Sequence, residues 1–177
     1  MHVQFLEAFK KRMSAVKVGD NFDPSVDQGP QNSKMQFDKI LGYIETGKQE
    51  GATLALGGNV AKVGDGRGYY IEPTIFTDVN PKMKIVKEEI FGNVVVISTF
   101  KTEEEVLELA NDTTYGLAAA VHTKDYERAV RVTNGLQAGT AWVNMFNFVH
   151  WSIPFGESAR SLCWRVISVG WLADFVV

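Results

Sequence analysis

With 177 residues, 45% hydrophobic and 11% aromatic, the chain is long enough to bury one sizeable core and too apolar to be a disordered segment. Eighteen basic against 21 acidic side chains leave a net charge of −3 with no block of like charge, which excludes a basic footprint for nucleic acid or a polybasic membrane patch. The single cysteine, Cys163, excludes an internal disulfide framework, and no apolar run is of membrane-spanning length. With a charged, amphipathic N-terminus in place of a signal peptide, the expected setting is cytoplasmic or another reduced intracellular compartment. His2 and His122 stand apart from other ligand-type residues, so no metal site is expected.

Leu6, Phe9, Met13 and Val16 recur at steps of three and four, which predicts an amphipathic helix over 3–16. Between Gly19 and Pro30 the Gly, Asn, Asp and Pro residues predict a loop. A second helix is expected after Asn32 or Ser33, with Phe37, Ile40, Leu41 and Ile44 on its apolar face, Gln36 and Lys39 off that face, and Gly47 or Gly51 near its end. Ala52–Leu56 and Tyr69–Phe76 read as strands joined through five glycines between Gly57 and Gly68. Gly64-x-Gly66-x-Gly68 has neither the spacing nor the following helix of a nucleotide loop and reads as a surface hairpin.

The segment Lys87-Glu88-Glu89-Ile90-Phe91-Gly92-Asn93 stands directly before the apolar run Val94–Ile97. A carboxylate there can accept hydrogen bonds from the vicinal hydroxyls of a ribose, and a phenyl ring two residues on can lie against a flat heterocycle. Solvated acids followed by core apolars are the other reading of the same residues. Val94–Phe100, Leu117–Val121 and Thr140–Asn144 then read as buried strands. Helices fall between them, one opened by the capping box Thr102-Glu103-Glu104-Glu105 and one over Asp125–Asn134. Strands separated by single helices imply an α/β fold with an open, mostly parallel sheet covered by helices on both faces.

Seven ordered blocks resemble the NAD(P)-dependent aldehyde dehydrogenases. They are Asp27–Gln31, Gln36–Ile44, Gly68–Thr74, Lys87–Gly92, Asn111–Leu117, Gly139–Asn144 and Pro154–Gly156. The resemblance covers 1–156 as the later part of that family's catalytic domain and sets off 157–177 as a divergent C-terminal tail. It implies an oxidoreductase that converts an aldehyde to a carboxylic acid with NAD or NADP. Glu89 matches the glutamate that holds the nicotinamide ribose, and Phe91 the ring that packs by the nicotinamide, so the two are expected together at the carboxyl end of the sheet. Gln36 and Lys39 match polar residues that reach toward the same end of the dinucleotide, plain solvated surface being the other reading of both. Phe155 matches an aromatic wall of the aldehyde passage, with Met145 and Val149 at variable positions of the same passage. Asn144 reads as structural, its amide tying down backbone groups.

The family's chemistry needs a cysteine thiolate, an oxyanion-stabilising amide and a glutamate base, and none of the matching blocks holds them. Cys163, in Ser161-Leu162-Cys163-Trp164-Arg165, lacks the context of the family nucleophile even with His150 thirteen residues away, so no catalytic residue is assigned. Asn93 replaces a proline usual in the family, which is expected to loosen the turn that aims Glu89 and Phe91. The match breaks off abruptly after Gly156, as a shifted reading frame or retained intron would make it. The segment 158–177 is therefore expected to be the least regular. The implied partners are an aldehyde, with a homo-oligomer or pairing with a full-length subunit, and neither nucleic acid nor membrane. An inactive accessory module or a functionless truncated product is the alternative to a fragment of the enzyme.

Overall fold

The computed structural model describes residues 2–151 and the backbone of Ala173–Asp174. The chain forms two compact units, Met1–Thr99 and Phe100–Val177.

The first unit opens with α1 (His2–Ser14), whose apolar stripe includes a stacked Phe5–Phe9 pair at 5.6 Å and which buries none of its residues. After the turn-rich loop comes α2 (Lys34–Gln49), capped by Ser33, whose hydroxyl oxygen accepts from the Gln36 backbone N–H. Ile40, Tyr43, Ile44 and Gly47 form its buried face. They pack with Ala52, Ile71, Phe76, Ile85 and Ile90 into one core. Helix α2 lies over β1 (Thr53–Leu56), β2 (Thr74–Thr77) and β3 (Val94–Val96), a sheet of order β1-β2-β3.

The direction of each pairing follows from its connection. β1 reaches β2 through the glycine-rich excursion 57–73 without a helix, and the two run antiparallel. The excursion closes on itself as the expected hairpin, with an antiparallel bridge between Val60 and Ile71. β2 reaches β3 through a crossover containing a single-turn helix, α3 (Lys84–Lys87), and these strands are parallel, Thr74 opposite Val94.

The second unit contains α4 (Glu103–Asn111), β4 (Ala118–Val121), α5 (Tyr126–Gly135), β5 (Thr140–Val143) and β6 (Ala173–Asp174). Its sheet has the order β5-β4-β6 and is parallel throughout. Thr102 and Asp125 cap the two helices by accepting from the Glu105 and Arg128 backbone N–H groups. Glu103 accepts from Arg131 at 2.9 and 3.1 Å and from Arg128 at 3.3 Å, tying α4 to α5. Those guanidinium hydrogen bonds hold its carboxyl below the usual range.

The α/β class is as expected, and the strands are redistributed: among the described residues they make two three-stranded sheets, and β1 is an antiparallel edge. Strands are also shorter than the apolar runs suggest, because runs such as Val94–Phe100 continue past the last ladder pair. Apart from the backbone of β6, the tail 157–177 lies outside the described residues, and with it the expectation about its regularity. Phe155 and Cys163 lie outside them as well.

Candidate functional site

The turn between α3 and β3 is anchored residue by residue. The Glu88 backbone N–H donates to the Lys84 carbonyl at 2.9 Å and closes α3. The Glu88 carboxylate accepts from the Tyr43 hydroxyl at 2.7 Å, with Lys84 Nζ 3.9 Å away. Ile90 enters the core, while Phe91 points outward with 54% of its surface exposed. Gly92 lies against α2, where an added Cβ would come within 2.7 Å of Ile40, so a larger residue would have to displace that side chain. The Asn93 carbonyl accepts from Thr74 N–H at 2.9 Å, and β3 begins at the next residue.

Three side-chain amides complete the anchoring. Gln36 Nε2 donates to the Phe91 carbonyl at 2.7 Å and the Ile90 carbonyl at 3.2 Å. Asn93 Nδ2 donates to Ile71 O at 2.8 Å and to Gln28 Oε1 at 3.1 Å, and Gln28 Nε2 donates to the same Ile71 carbonyl at 2.8 Å. Asn93 therefore does not loosen the turn; it ties the turn to the 17–28 loop. The arrangement leaves Asn93 Oδ1 buried without a partner among the described residues, because the Asn93 and Gln28 amides both turn their NH2 groups toward Ile71 O.

The structure thus brings Glu89, Phe91, Gln36 and Lys39 together in the first unit. Glu89 is half-buried, and that burial pushes its carboxyl above the usual range, with the Lys39 ammonium opposing the shift. Lys39 Nζ also lies 5.8 Å from the Tyr43 ring centre, within cation–π range. Three sequence expectations are corrected. Gln36 belongs to the inward stripe of α2, one turn before Ile40, and apolar periodicity missed it because its side chain is polar. Its amide faces backbone carbonyls of the turn. The turn sits at the amino end of β3, not at a carboxyl end of the sheet, because its residues directly precede that strand. Tyr43 and Gln28 were missed as determinants of the turn, and Asn93 was assigned the opposite effect on it. The signal for Tyr43 was available, since a core tyrosine requires a partner for its hydroxyl.

In the second unit, Met145 and Val149 are exposed on the segment after β5, where Trp142 Nε1 donates to the Phe148 carbonyl at 2.9 Å. Asn144 is structural, as its sequence position suggests: its amide accepts from Thr123 N–H and donates to Thr123 O at 2.9 and 2.8 Å. A shallow depression of about 440 Å³ at the carboxyl ends of β4 and β5 is lined by Thr123, Lys124, Asp125, Tyr126, Ala129, Val143 and Asn144. Met145 and Val149 are not among its lining residues.

The family model described as the aldehyde dehydrogenase family matches residues 1–163. An aldehyde dehydrogenase from Alternaria alternata is 50% identical over 173 residues, 98% of this chain and 34% of that protein. A betaine aldehyde dehydrogenase from Mesorhizobium japonicum is 45% identical over 174 residues, 98% of this chain and 36% of that one. Among solved structures, a variant aldehyde dehydrogenase from Bacillus cereus superposes with a TM-score of 0.83 at 45% identity, covering 87% of this chain and 31% of its own. A betaine aldehyde dehydrogenase variant from Staphylococcus aureus, solved with NAD+, gives 0.83 at 41% identity over 88% of this chain and 32% of its own. The chain therefore spans about a third of the length of the relatives it matches.

Proposed function

Because this chain belongs to the aldehyde dehydrogenase family, we propose that its Glu88–Asn93 turn is the nicotinamide-ribose wall of an NAD(P) site. That site would serve an oxidoreductase that converts aldehydes to carboxylic acids. The observation that carries the reading is the pairing of a half-buried carboxylate, Glu89, with an outward phenyl ring, Phe91, on a turn fixed from both sides. The donor set fits the group. A carboxylate is an acceptor for vicinal hydroxyls, and an exposed ring offers an apolar face to a planar heterocycle. The Lys39 ammonium acts on the carboxylate against the effect of its burial.

In this reading Glu89 accepts from the ribose hydroxyls and so orients the sugar, while Phe91 excludes water from one side of the adjoining ring. Bound NAD(P)+ would supply hydride acceptance. Met145, Val149 and Phe155 are proposed to line the aldehyde passage, where their size would set substrate preference. Oligomerisation with further subunits is the matching proposal for partners.

The test is a titration of the 15N-labelled chain with nicotinamide mononucleotide at millimolar concentration. Shifts at Glu89, Phe91 and Lys39 that vanish in Glu89→Gln are expected. A titration that leaves those amides unmoved while altering residues elsewhere would remove the assignment.

A further inference from the structure

Phe91 has φ of +57°, a left-handed backbone conformation that an aromatic residue adopts only when its surroundings impose it. The next residue is a glycine, so the strain is not dictated by a lack of permissive positions nearby. It is the phenylalanine itself that is held.

Gln36 is the group placed to hold it. It occupies the third helical position after the Ser33 cap, and Ser33-x-x-Gln36 is the pattern of a capping box, in which the glutamine would reach back to the cap backbone. Here its NH2 reaches instead to the Ile90 and Phe91 carbonyls, 54 and 55 residues away in sequence. Those are the carbonyls on either side of the Phe91 φ and ψ torsions, so fixing both fixes the orientation of the residue between them. Ile40 and Tyr43 continue the same stripe of α2, Ile40 against Gly92 and Tyr43 on Glu88. One helix face therefore contacts the turn at Glu88, Ile90, Phe91 and Gly92.

We propose that Gln36 is a positioning residue, which holds Phe91 in its left-handed conformation through two carbonyls and thereby sets the direction of Glu89 and Phe91. This rests on the cofactor-wall reading for its purpose and on the geometry alone for its action. The polar character of Gln36 is then explained without direct contact with a nucleotide.

The experiment uses the full 177-residue chain, isotope-labelled and assigned by NMR. Gln36→Met keeps the length of the side chain and removes its donors; Gln36→Glu replaces them with acceptors that the two carbonyls repel. In both, the Phe91 Cα and Cβ shifts are expected to leave left-handed values. Amide exchange over 90–92 should rise roughly tenfold, the weight of one lost hydrogen bond, while Ile75, Phe76 and Val95 stay unmoved. The Glu89 carboxyl should titrate closer to its ordinary range as the turn swings toward solvent. Adding Phe91→Gly to Gln36→Met should return Glu89 and Gly92 toward native shifts, because glycine accepts the conformation unaided. Tyr43→Phe should move Glu88 and leave Phe91 left-handed. Native Phe91 shifts in both Gln36 variants overturn the proposal, as do changes spread evenly through α2 and β2. A native chain that shows the clamp but no response to nicotinamide mononucleotide would count against the cofactor wall and leave the clamp established.

Discussion

At the scale of single residues, the turn depends on carbonyls that would otherwise be buried without donors. Ile71 is fully buried, and its carbonyl receives two side-chain amides, Gln28 Nε2 and Asn93 Nδ2. Gln28→Ala or Asn93→Ala alone leaves one donor in place, whereas both together leave the carbonyl without either. The double variant should lose about 1–3 kcal/mol beyond the sum of the singles, the desolvation cost of an unpaired buried acceptor. Urea midpoints of the four chains measure this, and strict additivity would contradict it. Glu89 gives a second prediction. Its folded-state carboxyl is raised by burial and opposed by Lys39, so Lys39→Met should raise it further. Since the raised group favours its protonated form in the fold, its contribution to stability is fully present below the unfolded-state value. It is lost as pH rises through the folded-state value, and that window should move upward in Lys39→Met. Carbon-detected titration of the Glu89 carboxyl reads the shift directly.

At the scale of elements, α2 is the part that both fills the core and carries the turn, and its packing leaves little slack. Gly47 is buried in the last turn of α2, where an added Cβ would stand 2.9 Å from Ile85 Cδ1 and 3.2 Å from Phe76 Cζ. Alanine would gain up to about 1 kcal/mol of helix propensity. It would lose more to overpacking, typically about 1–3 kcal/mol. Gly47→Ala should therefore lower the thermal midpoint, and Ile85→Val in the same chain, by removing Cδ1, should recover part of it. In the second unit, Glu103 is the acid held low by Arg131 and Arg128, so its contribution is present above its unfolded-state value and lost as pH falls through the folded-state value. Glu103→Gln should remove that acid-side loss. Elements with strong periodicity or caps were legible in the sequence. Ser33, Thr102 and Asp125 mark three helix starts, and the apolar faces of α2 and α5 follow their spacing. What was illegible depended on tertiary partners. Nothing local states that β1 pairs antiparallel, that Lys84–Lys87 turns once as a helix, or that Gln36 faces inward. Glu89 and Phe91 were singled out because residue type and family resemblance agree on them. Gln28, Tyr43 and Asn93 act through hydrogen bonds that close only across 22 to 65 residues of chain.

At the scale of the whole molecule, the chain holds about a third of the length of its relatives, and it presents large apolar residues to solvent. Phe22, Met35 and Trp151 are 90%, 80% and 91% exposed, and no residue of α1 is more than partly buried. A proposed share in aldehyde oxidation therefore differs from the capacity to perform it. Oxidation through a thioester needs a thiolate to attack the carbonyl, donors for the oxyanion, and a base to activate water, and losing one such group typically removes orders of magnitude of rate. These 177 residues include a single cysteine, Cys163, whose sequence context is unlike that of the family nucleophile. The purified chain, given simple aldehydes with NAD+ or NADP+, should form no reduced cofactor above the uncatalysed background, even under conditions where nicotinamide mononucleotide perturbs Glu89. Absorbance of the reduced nicotinamide at saturating aldehyde is the measurement. Steady production that disappears in Cys163→Ser would reverse the assignment by making that cysteine the nucleophile. Production that survives Cys163→Ser would show that the chain acts on aldehydes without a thioester.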